Sequence, residues 1–333
     1  MRWILGIVTT LAVLYAGYWF IGAAATERAA TQWFNDRAQD GWIAETSAIE
    51  TRGFPSRFDT TLTDIELADP ETGWVWTAPF FQVFALSYRP NHIIAVWPPD
   101  HSLASPNARI ALSSNDTRAS MVFEAGPDLT LQTANFEVAA LTLAHSQLGE
   151  TTIGEGSIAL RQTPDMVLSN DLYAQLKTVA LPPALRGLLD PAGLLPTAIE
   201  GMTIDSTIGF DAPWDRFAIE RARPQPTSID LKLLSASWGP LDLRAAGTLQ
   251  VDENGVPTGE IGIKARNWRQ MLDVAENAGL LPSEILPMVE RGLEVLSGLS
   301  GNSQTLDVPL SFRNGRMAIG PLPIGPAPRI MLR

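Results

Sequence analysis

The chain has no cysteine among its 333 residues, which excludes a disulfide framework and thiolate metal ligands. Histidine is scarce as well, and the three present are His92, His101 and His145. We expect them to be solvent-facing loop residues, with no metal and no cofactor bound. A metal site between His92 and His101, near Asp100, is the alternative.

Basic charge is in deficit, because 24 Lys and Arg residues stand against 36 Asp and Glu residues, a net charge of -12. Such a chain repels phosphate backbones, which excludes nucleic acid as an expected partner. Charged residues make up only 18% of the chain and hydrophobic residues 45%. This composition predicts a folded protein, since enough apolar surface can be buried to offset the entropy of the chain.

Motifs for catalysis are missing too. No GxSxG, HExxH or GxGxxG pattern occurs in the sequence. The carboxylates of Asp59, Asp64, Glu66 and Asp69 alternate along a predicted strand, which favours a solvated face over an acid/base pair. We therefore expect no enzyme. A hydrolase assembled from distant residues is the alternative left open.

What the sequence does have is a charge-free N-terminal run of 24 residues between Arg2 and Glu27. As a helix it would span about 36 Å, more than a hydrocarbon core of about 30 Å. We predict a transmembrane signal-anchor over residues 1–26 of a bacterial inner-membrane protein, with the bulk of the chain in the periplasm. A signal peptide cleaved near Ala23–Ala25, followed by secretion to the periplasm, is the alternative.

The segment after the run predicts a stalk helix over residues 27–41. Ala30, Trp33, Phe34 and Ala38 fall on one helical stripe there, and Gly41 is a suitable C-terminal cap. We expect this helix to continue the span and to pack on the domain that follows.

Beyond Gly41 the hydrophobic period changes from 3.6 to 2, which predicts antiparallel strands with one apolar face and one polar face. We therefore predict a mainly β fold over residues 42–333, a large curved antiparallel meander that forms an open groove or half-barrel. Possible sub-regions are 42–165 and 166–333, and short helices near 182–190 and 267–298 would pack on the sheet. The apolar face expected to bind a ligand comprises Ile229, Leu231, Leu233, Leu241, Leu243, Leu249, Val251, Ile261 and Ile263.

Turn residues support this meander. Asn254-Gly255 and Asn314-Gly315 favour type I′ hairpins. The stretch "RGFPSRF" predicts a reversal at Gly53 between a strand over 42–52 and another over 57–68. We expect Phe54 to fold back as a plug on the end of the sheet, with contact to the membrane as the alternative.

The C-terminal stretch "GPLPIGPAPRIML" cannot form a helix, so we expect it to run extended along an edge strand and to dock Ile330 and Leu332. Trp74, Trp76 and Trp97 cluster in one region of the sequence. They predict core anchoring, and an aromatic-lined mouth for an acyl chain is the alternative.

These landmarks resemble an alphaproteobacterial family, domain of unknown function 2125, over nearly the whole chain. The resemblance rests on "GFPSRFD", the run "WTAPFFQVFALSYRPNHIIAVWPP", "NW" and the closing "GPLPIGPAP". It implies a membrane-associated protein and carries no catalytic residue. The architecture also looks like AsmA-like and tubular lipid-binding envelope proteins. The signature residues are Gly53, Phe54, Pro55, Arg57, Trp76, Pro79, Tyr88, Asn91, Trp97, Asn267 and Trp268.

Two functions are consistent with these patterns. The first is a membrane-anchored module that binds or shuttles lipid or another hydrophobic ligand in the cell envelope. The second is a structural or assembly factor of the envelope that acts through protein–protein contacts. One-sided alternation in many strands, with few helices to cover them, favours the first.

Overall fold

The computed structural model describes residues 1–220, 223–280, 283, 286–299 and 304–332, and it confirms a mainly antiparallel β protein. The chain divides into two compact units. The first contains Met1–Ala125 and Phe136–Gln147, and the second contains Gly126–Asn135 and the described residues from Leu148 onward. The chain passes between the units at 125–126, 135–136 and 147–148. The predicted sub-regions 42–165 and 166–333 stay a prediction.

The elements through β9 are α1 Arg2–Gln39, β1 Ile43–Glu45, β2 Ala48–Arg52, β3 Arg57–Ala68, β4 Val75–Leu86, β5 Arg89–Val96, β6 Asp100–Ala104, β7 Arg109–Ser113, β8 Asp116–Phe123 and β9 Leu131–His145. The later elements are β10 Gly149–Thr163, β11 Met166–Ala180, α2 Pro183–Leu189, β12 Ala198–Phe210, α3 Phe217–Glu220, β13 Pro226–Trp238, β14 Leu241–Val251, β15 Pro257–Arg266, α4 Trp268–Asn277, α5 Leu286–Leu299, β16 Thr305–Arg313, β17 Arg316–Ile319 and β18 Leu322–Pro326.

The sheet of the first unit is branched. β1 and β2 pair with the two halves of β3, and β3 pairs with β4 along its whole length. β4 then pairs with β5 at one end and with β6 at the other. The single strand expected over 42–52 is interrupted at Thr46 and Ser47, opposite Asp64, whose φ is +51°. The break in the partner strand thus coincides with a left-handed residue in β3.

The anchor-and-stalk prediction becomes one continuous helix, α1, of 38 residues. Its buried residues include Trp19, Ala23 and Phe34, at spacings that place them on one stripe. Trp33 is 45% exposed and Ala38 is exposed, so the predicted stripe was wrong for these two residues. The helix continues in register from the apolar run, and that register selects Phe34.

Four half-buried aromatic side chains form a row in the first unit. Trp76 lies 6.0 Å from Phe81, Phe81 lies 5.0 Å from Trp97, and Trp97 lies 5.9 Å from Phe136, all edge to face. Trp76 and Trp97 are half-buried in this row, so they pack on other aromatic rings without being fully buried. Trp74 is 44% exposed and takes no part in the row.

The second unit is an up-and-down meander. Each strand from β10 to β18 pairs antiparallel with the next one along the chain. Consecutive antiparallel pairing keeps directly opposite residues on the same face of the sheet. The predicted meander is therefore confirmed in this unit, and β17 and β18 extend it beyond the strands that the alternation identified.

The helices predicted near 182–190 and 267–298 are present as α2, α4 and α5, and residues 281, 282, 284 and 285 of the second range lie outside the described residues. The short helix α3 was not predicted. Trp268 of α4 with Val289 and Leu293 of α5 packs on Leu306 and Val308 of β16 in one buried cluster. Both helices belong to the connection between β15 and β16. They therefore cover the strands nearest to their own ends.

One predicted hairpin is confirmed and one is wrong. Asn314 and Gly315 have φ values of +52° and +70°, as a type I′ turn requires. Asn254 has no positive φ. The carboxylate of Asp252 instead accepts the N–H groups of Asn254 and Val256 at 2.9 and 2.8 Å and closes a longer loop.

The C-terminal tail follows an extended path, as predicted. Ile330 donates its N–H to the Gly255 carbonyl at 2.8 Å, and the Leu332 N–H bonds the Gln225 side chain at 2.9 Å. The backbone of the tail is thus tied to the loop between β14 and β15 and to the segment just before β13. The Leu332 side chain is 40% exposed, so the prediction that it docks was wrong.

Substitution of Gly259 would test the close approach of β14 and β15. Its φ is +145°, and a Cβ there would overlap the Thr248 carbonyl oxygen of the facing strand. We expect Gly259→Ala to lower the free energy of unfolding by about 1–3 kcal/mol. Gly262→Ala in the same strand is the control, because its nearest contact would be an ordinary 3.6 Å. Thermal unfolding followed by circular dichroism would measure both, and equal midpoints would contradict the expectation.

Candidate functional site

The strands of the second unit present one continuous apolar face. Register fixes its membership, since directly paired residues such as Ile204 and Leu234, or Ala245 and Ile263, share a face. We call this set the apolar face. Its residues include Ile158, Leu160, Leu172, Ala174, Leu176, Met202, Ile204, Ile208, Ile229, Leu231, Leu234, Ala236, Leu243, Ala245, Leu249, Ile261, Ile263, Val308 and Leu310.

Coverage of the apolar face is uneven. Val308 on β16 is 4% exposed because α5 lies over it, and Leu243 packs against the same cluster. On β10 and β12, by contrast, Ile158, Met202 and Ile204 are 46%, 42% and 38% exposed. The apolar face is thus part of a packed core at β16 and an uncovered apolar surface at β10 and β12. We call the β10–β12 part the open part of the apolar face.

The residues predicted to bind a ligand divide accordingly. Leu241, Leu249 and Val251 are buried, and Leu241 belongs to a small core with Leu195 and Trp238. The remaining predicted residues on the apolar face are half-buried: Ile229, Leu231, Leu243, Ile261 and Ile263. The structure brings these eight residues together, with most of their surface already used in packing.

Leu233 is the one predicted member that lies on the other face. β13 contains a bulge, because Leu231 faces Gly247 and Leu234 faces Ala245, which leaves two residues of β13 opposite one of β14. A bulge shifts the alternation by one residue. Leu234 therefore takes the apolar position, and Leu233 pairs with Asp205 on the polar face, 36% exposed.

Sequence reasoning missed the open part of the face. In β12, Met202, Ile204 and Ile208 alternate with polar residues, and this signal was available. In β10, Gly154 and Gly156 interrupt the alternation before Ile158. A strand is left uncovered when no helix packs on it. The alternation of apolar and polar residues does not indicate where the helices pack.

Asp171 is the centre of a polar network on the opposite face. Its carboxylate accepts hydrogen bonds from Arg161 at 2.8 Å, Thr207 at 2.7 Å and Thr163 at 3.1 Å, with Lys232 at 3.7 Å. The Arg161 and Thr207 hydrogen bonds lower the pKa of Asp171 to about 2. These partners come from β10, β12 and β13, so the network ties four neighbouring strands together.

A second feature joins α1 to the first sheet. The Trp19 indole donates to the Arg57 carbonyl at 2.7 Å, and the Tyr18 hydroxyl donates to the Ser87 carbonyl at 2.6 Å. Phe54 stacks on Phe20 with ring centroids 5.6 Å apart. Phe54 is also 53% exposed, so the expected plug on the sheet end was wrong. It packs on the helix because Gly53, at φ +102°, turns the chain toward α1.

Several signature residues of the family satisfy backbone groups. Asn91 donates its side-chain amide to the Phe123 carbonyl at 2.7 Å, and Asn267 donates to the Pro240 carbonyl at 2.6 Å. Arg57 pairs with Asp59 at 2.7 Å. Trp268 is 2% exposed at the centre of its core cluster. These residues are structural in this fold. Pro55, Pro79 and Tyr88 are exposed.

The histidines lie in strands, which corrects the expectation of loop positions. Trp76 donates its indole N–H to Nδ1 of His101 at 3.1 Å, and burial lowers the pKa of His101. His92 bonds the Ser120 hydroxyl at 3.0 Å. Within the residues described by the structure, no group of three or more acidic or histidine side chains is placed to hold a metal ion.

Together these features define a mainly antiparallel β protein that carries a long N-terminal apolar helix. A family model described as uncharacterised proteins conserved in bacteria, domain of unknown function 2125, matches residues 19–328, and the chain belongs to this family. Neither the curated proteins nor the solved structures gave a match. The likeness to AsmA-like proteins is therefore not confirmed.

The Asp171 network predicts a specific pH dependence. Because its folded-state pKa is depressed to about 2, the stabilising contribution is present above about pH 4 and is lost as the pH falls toward 2. We expect Asp171→Asn to lower the thermal midpoint at pH 7 by about 2–4 °C. The gap from wild type should narrow as the pH falls from 4 to 2.

The control for this prediction is Asp205→Asn on the same face. Asp205 is 43% exposed and reaches Lys232 only at 4.0 Å, so this change should have little effect. Thermal unfolding of the three proteins between pH 2 and pH 7 measures both expectations. A gap between wild type and Asp171→Asn that stays constant down to pH 2 would contradict the assignment.

Proposed function

We propose that the protein is a single-span membrane protein of the bacterial envelope that binds an acyl chain or a similar hydrophobe on the open part of its apolar face. The observation that carries this proposal is the exposure of Ile158, Met202 and Ile204, on a face that α4 and α5 cover elsewhere. Exposed contiguous apolar surface of this kind marks binding sites for apolar partners.

The first step in the argument is the anchor. The apolar part of α1 has a mean hydropathy of 1.9, enough to cross a membrane, although a signal sequence passes the same test. The packing of α1 favours retention. Cleavage near Ala25 would remove Tyr18 and Trp19, whose side chains satisfy two backbone carbonyls of the first sheet, and would expose Phe58. The family match, which begins at residue 19, includes Trp19 and Phe58.

The second step is location. With the N-terminus inside, a signal-anchor carries everything after the span across the inner membrane. The domain would then lie in the periplasm, tethered by α1. A helix of 38 residues is about 57 Å long, so it extends well beyond a hydrocarbon core of about 30 Å and enters the domain.

The third step is the ligand. The open part of the apolar face consists of aliphatic side chains in neighbouring strands, with Ile158 of β10 and Met202 and Ile204 of β12 the most exposed. Such a surface offers dispersion contacts and desolvation but few hydrogen-bonding groups. It therefore suits a flexible aliphatic chain better than a polar metabolite.

Retention of the anchor predicts the mass of the mature protein. Full-length protein of 36.1 kDa should be recovered from membranes after a carbonate wash, with peptides that cover Tyr18 and Trp19. Intact-mass and N-terminal peptide mass spectrometry of protein expressed in a Gram-negative host measure this. A mature form beginning at Thr26 would contradict the anchor.

Binding on the apolar face predicts a difference between two matched variants. Ile204→Gln on the open part of the face should reduce photocrosslinking of a diazirine-labelled fatty acid about tenfold, as lost burial of one aliphatic side chain implies. Leu233→Gln should leave it unchanged, because Leu233 is similarly exposed but lies on the polar face.

The measurement uses the full chain in nanodiscs, with adducts mapped by mass spectrometry. Equal labelling of the two variants, or adducts outside the apolar face, would contradict acyl-chain binding. Trapping of a reproducible protein partner at position 204 in cells, with no lipid adduct there, would favour an assembly factor instead.

A further inference from the structure

Two hairpin tips of the first unit carry exposed aromatic side chains beside α1. Phe54, in the turn between β2 and β3, is 53% exposed, and Tyr88, in the two-residue turn between β4 and β5, is 64% exposed. Both turns lie at the same end of β3 and β4, since Arg57 pairs with Leu86 in the register. We call residues 53–56 and 87–88 the hairpin tips.

Hydrogen bonds hold the hairpin tips against a defined stretch of the helix. Tyr15 bonds the Ser87 hydroxyl at 2.8 Å, Tyr18 bonds the Ser87 carbonyl, and Trp19 bonds the carbonyl of Arg57, the residue next to the first tip. These helix residues belong to the charge-free run that ends before Glu27. The tips are therefore alongside helix residues that precede the end of the apolar run.

The length of the helix places this stretch near a bilayer surface. From Arg2 to Trp19 the helix rises about 25 Å, which is less than the thickness of a hydrocarbon core of about 30 Å. A bilayer that begins at Trp3 would thus reach the level of Trp19. Phe54 also stacks directly on Phe20, which is 61% exposed on the helix surface, so the apolar surface of α1 continues onto the first tip.

Several backbone N–H and C=O groups of the hairpin tips form hydrogen bonds within the protein, so they do not need water as a partner. The Ser87 N–H bonds the Ser56 carbonyl at 2.9 Å, the Arg57 N–H bonds the Gly53 carbonyl at 2.9 Å, and the Ser87 hydroxyl donates to the Pro55 carbonyl at 3.1 Å. Internal satisfaction of these groups removes much of the cost of burying them in lipid. The hydroxyl of Tyr88 and the guanidinium of the exposed Arg89 suit the headgroup layer.

We infer that Phe54 and Tyr88 insert into the interfacial layer of the bilayer that α1 spans, so that the first unit contacts the membrane at the hairpin tips as well as through its helix. The partner is the lipid surface itself. This inference rests on the proposed anchor, and it is separate from the acyl-chain site on the second unit.

Site-specific labelling can test this inference directly. The chain has no cysteine, so an introduced cysteine is its only thiol. Full-length Phe54→Cys and Tyr88→Cys, in nanodiscs of phosphatidylethanolamine and phosphatidylglycerol, would be labelled with an environment-sensitive fluorophore and quenched with spin-labelled lipids. Glu71→Cys is the control, since its loop joins the other ends of β3 and β4, about 35–40 Å along the 12 residues of β3.

A fourth variant, Leu11→Cys, reports the span itself, since Leu11 is 60% exposed on α1. Quenching several-fold stronger at positions 54 and 88 than at 71, together with quenching at 11, is the expected result. Quenching at 11 with positions 54 and 88 no different from 71 would overturn the inference and leave the anchor intact. No quenching at position 11 would overturn the anchor and the inference together.

Discussion

Register between antiparallel strands is the constraint on which the second unit depends. Apolar residues lie opposite one another in many of the strand pairs, as Ile204 lies opposite Leu234 and Ala245 opposite Ile263. A slip of one residue at any strand would turn its aliphatic side chains to the polar face. The bulge in β13 shifts the alternation from Leu234 onward, so that Leu234 instead of Leu233 lies on the apolar face. The polar network around Asp171 adds ties across four strands from the other side.

Order along the chain then decides which part of the apolar face becomes core. α4 and α5 lie in the connection between β15 and β16, and they cover Leu306 and Val308. In the described part of the chain, the helix nearest to β10–β12 is α2, which has seven residues and packs by Leu189 on the small core at the ends of the strands. It is too short to reach across the face. The same alternation of apolar and polar residues therefore produces a packed core under α4 and α5 and an exposed apolar surface on β10–β12.

The N-terminal helix combines two properties that the sequence patterns assigned to separate segments. Its apolar run meets the composition of a membrane span, while Tyr18, Trp19 and Ala23 of the same run pack on or hydrogen-bond the first sheet. Tyrosine and tryptophan suit this double demand because each has an apolar ring and one polar group. These contacts tie the helix to the sheet of the first unit.

Local chemistry was readable from the sequence by itself. Alternation placed most strands, a charge-free run placed the apolar helix, and Asn314-Gly315 placed a type I′ turn, because each of these depends on neighbours within a few residues. Only the tertiary structure decided that Leu233 leaves the apolar face, that Asp252 overrides the Asn254-Gly255 turn, and that Ile158 and Ile204 stay uncovered. These outcomes depend on register with a distant strand and on where a helix packs, and such contacts leave no periodic trace in the chain.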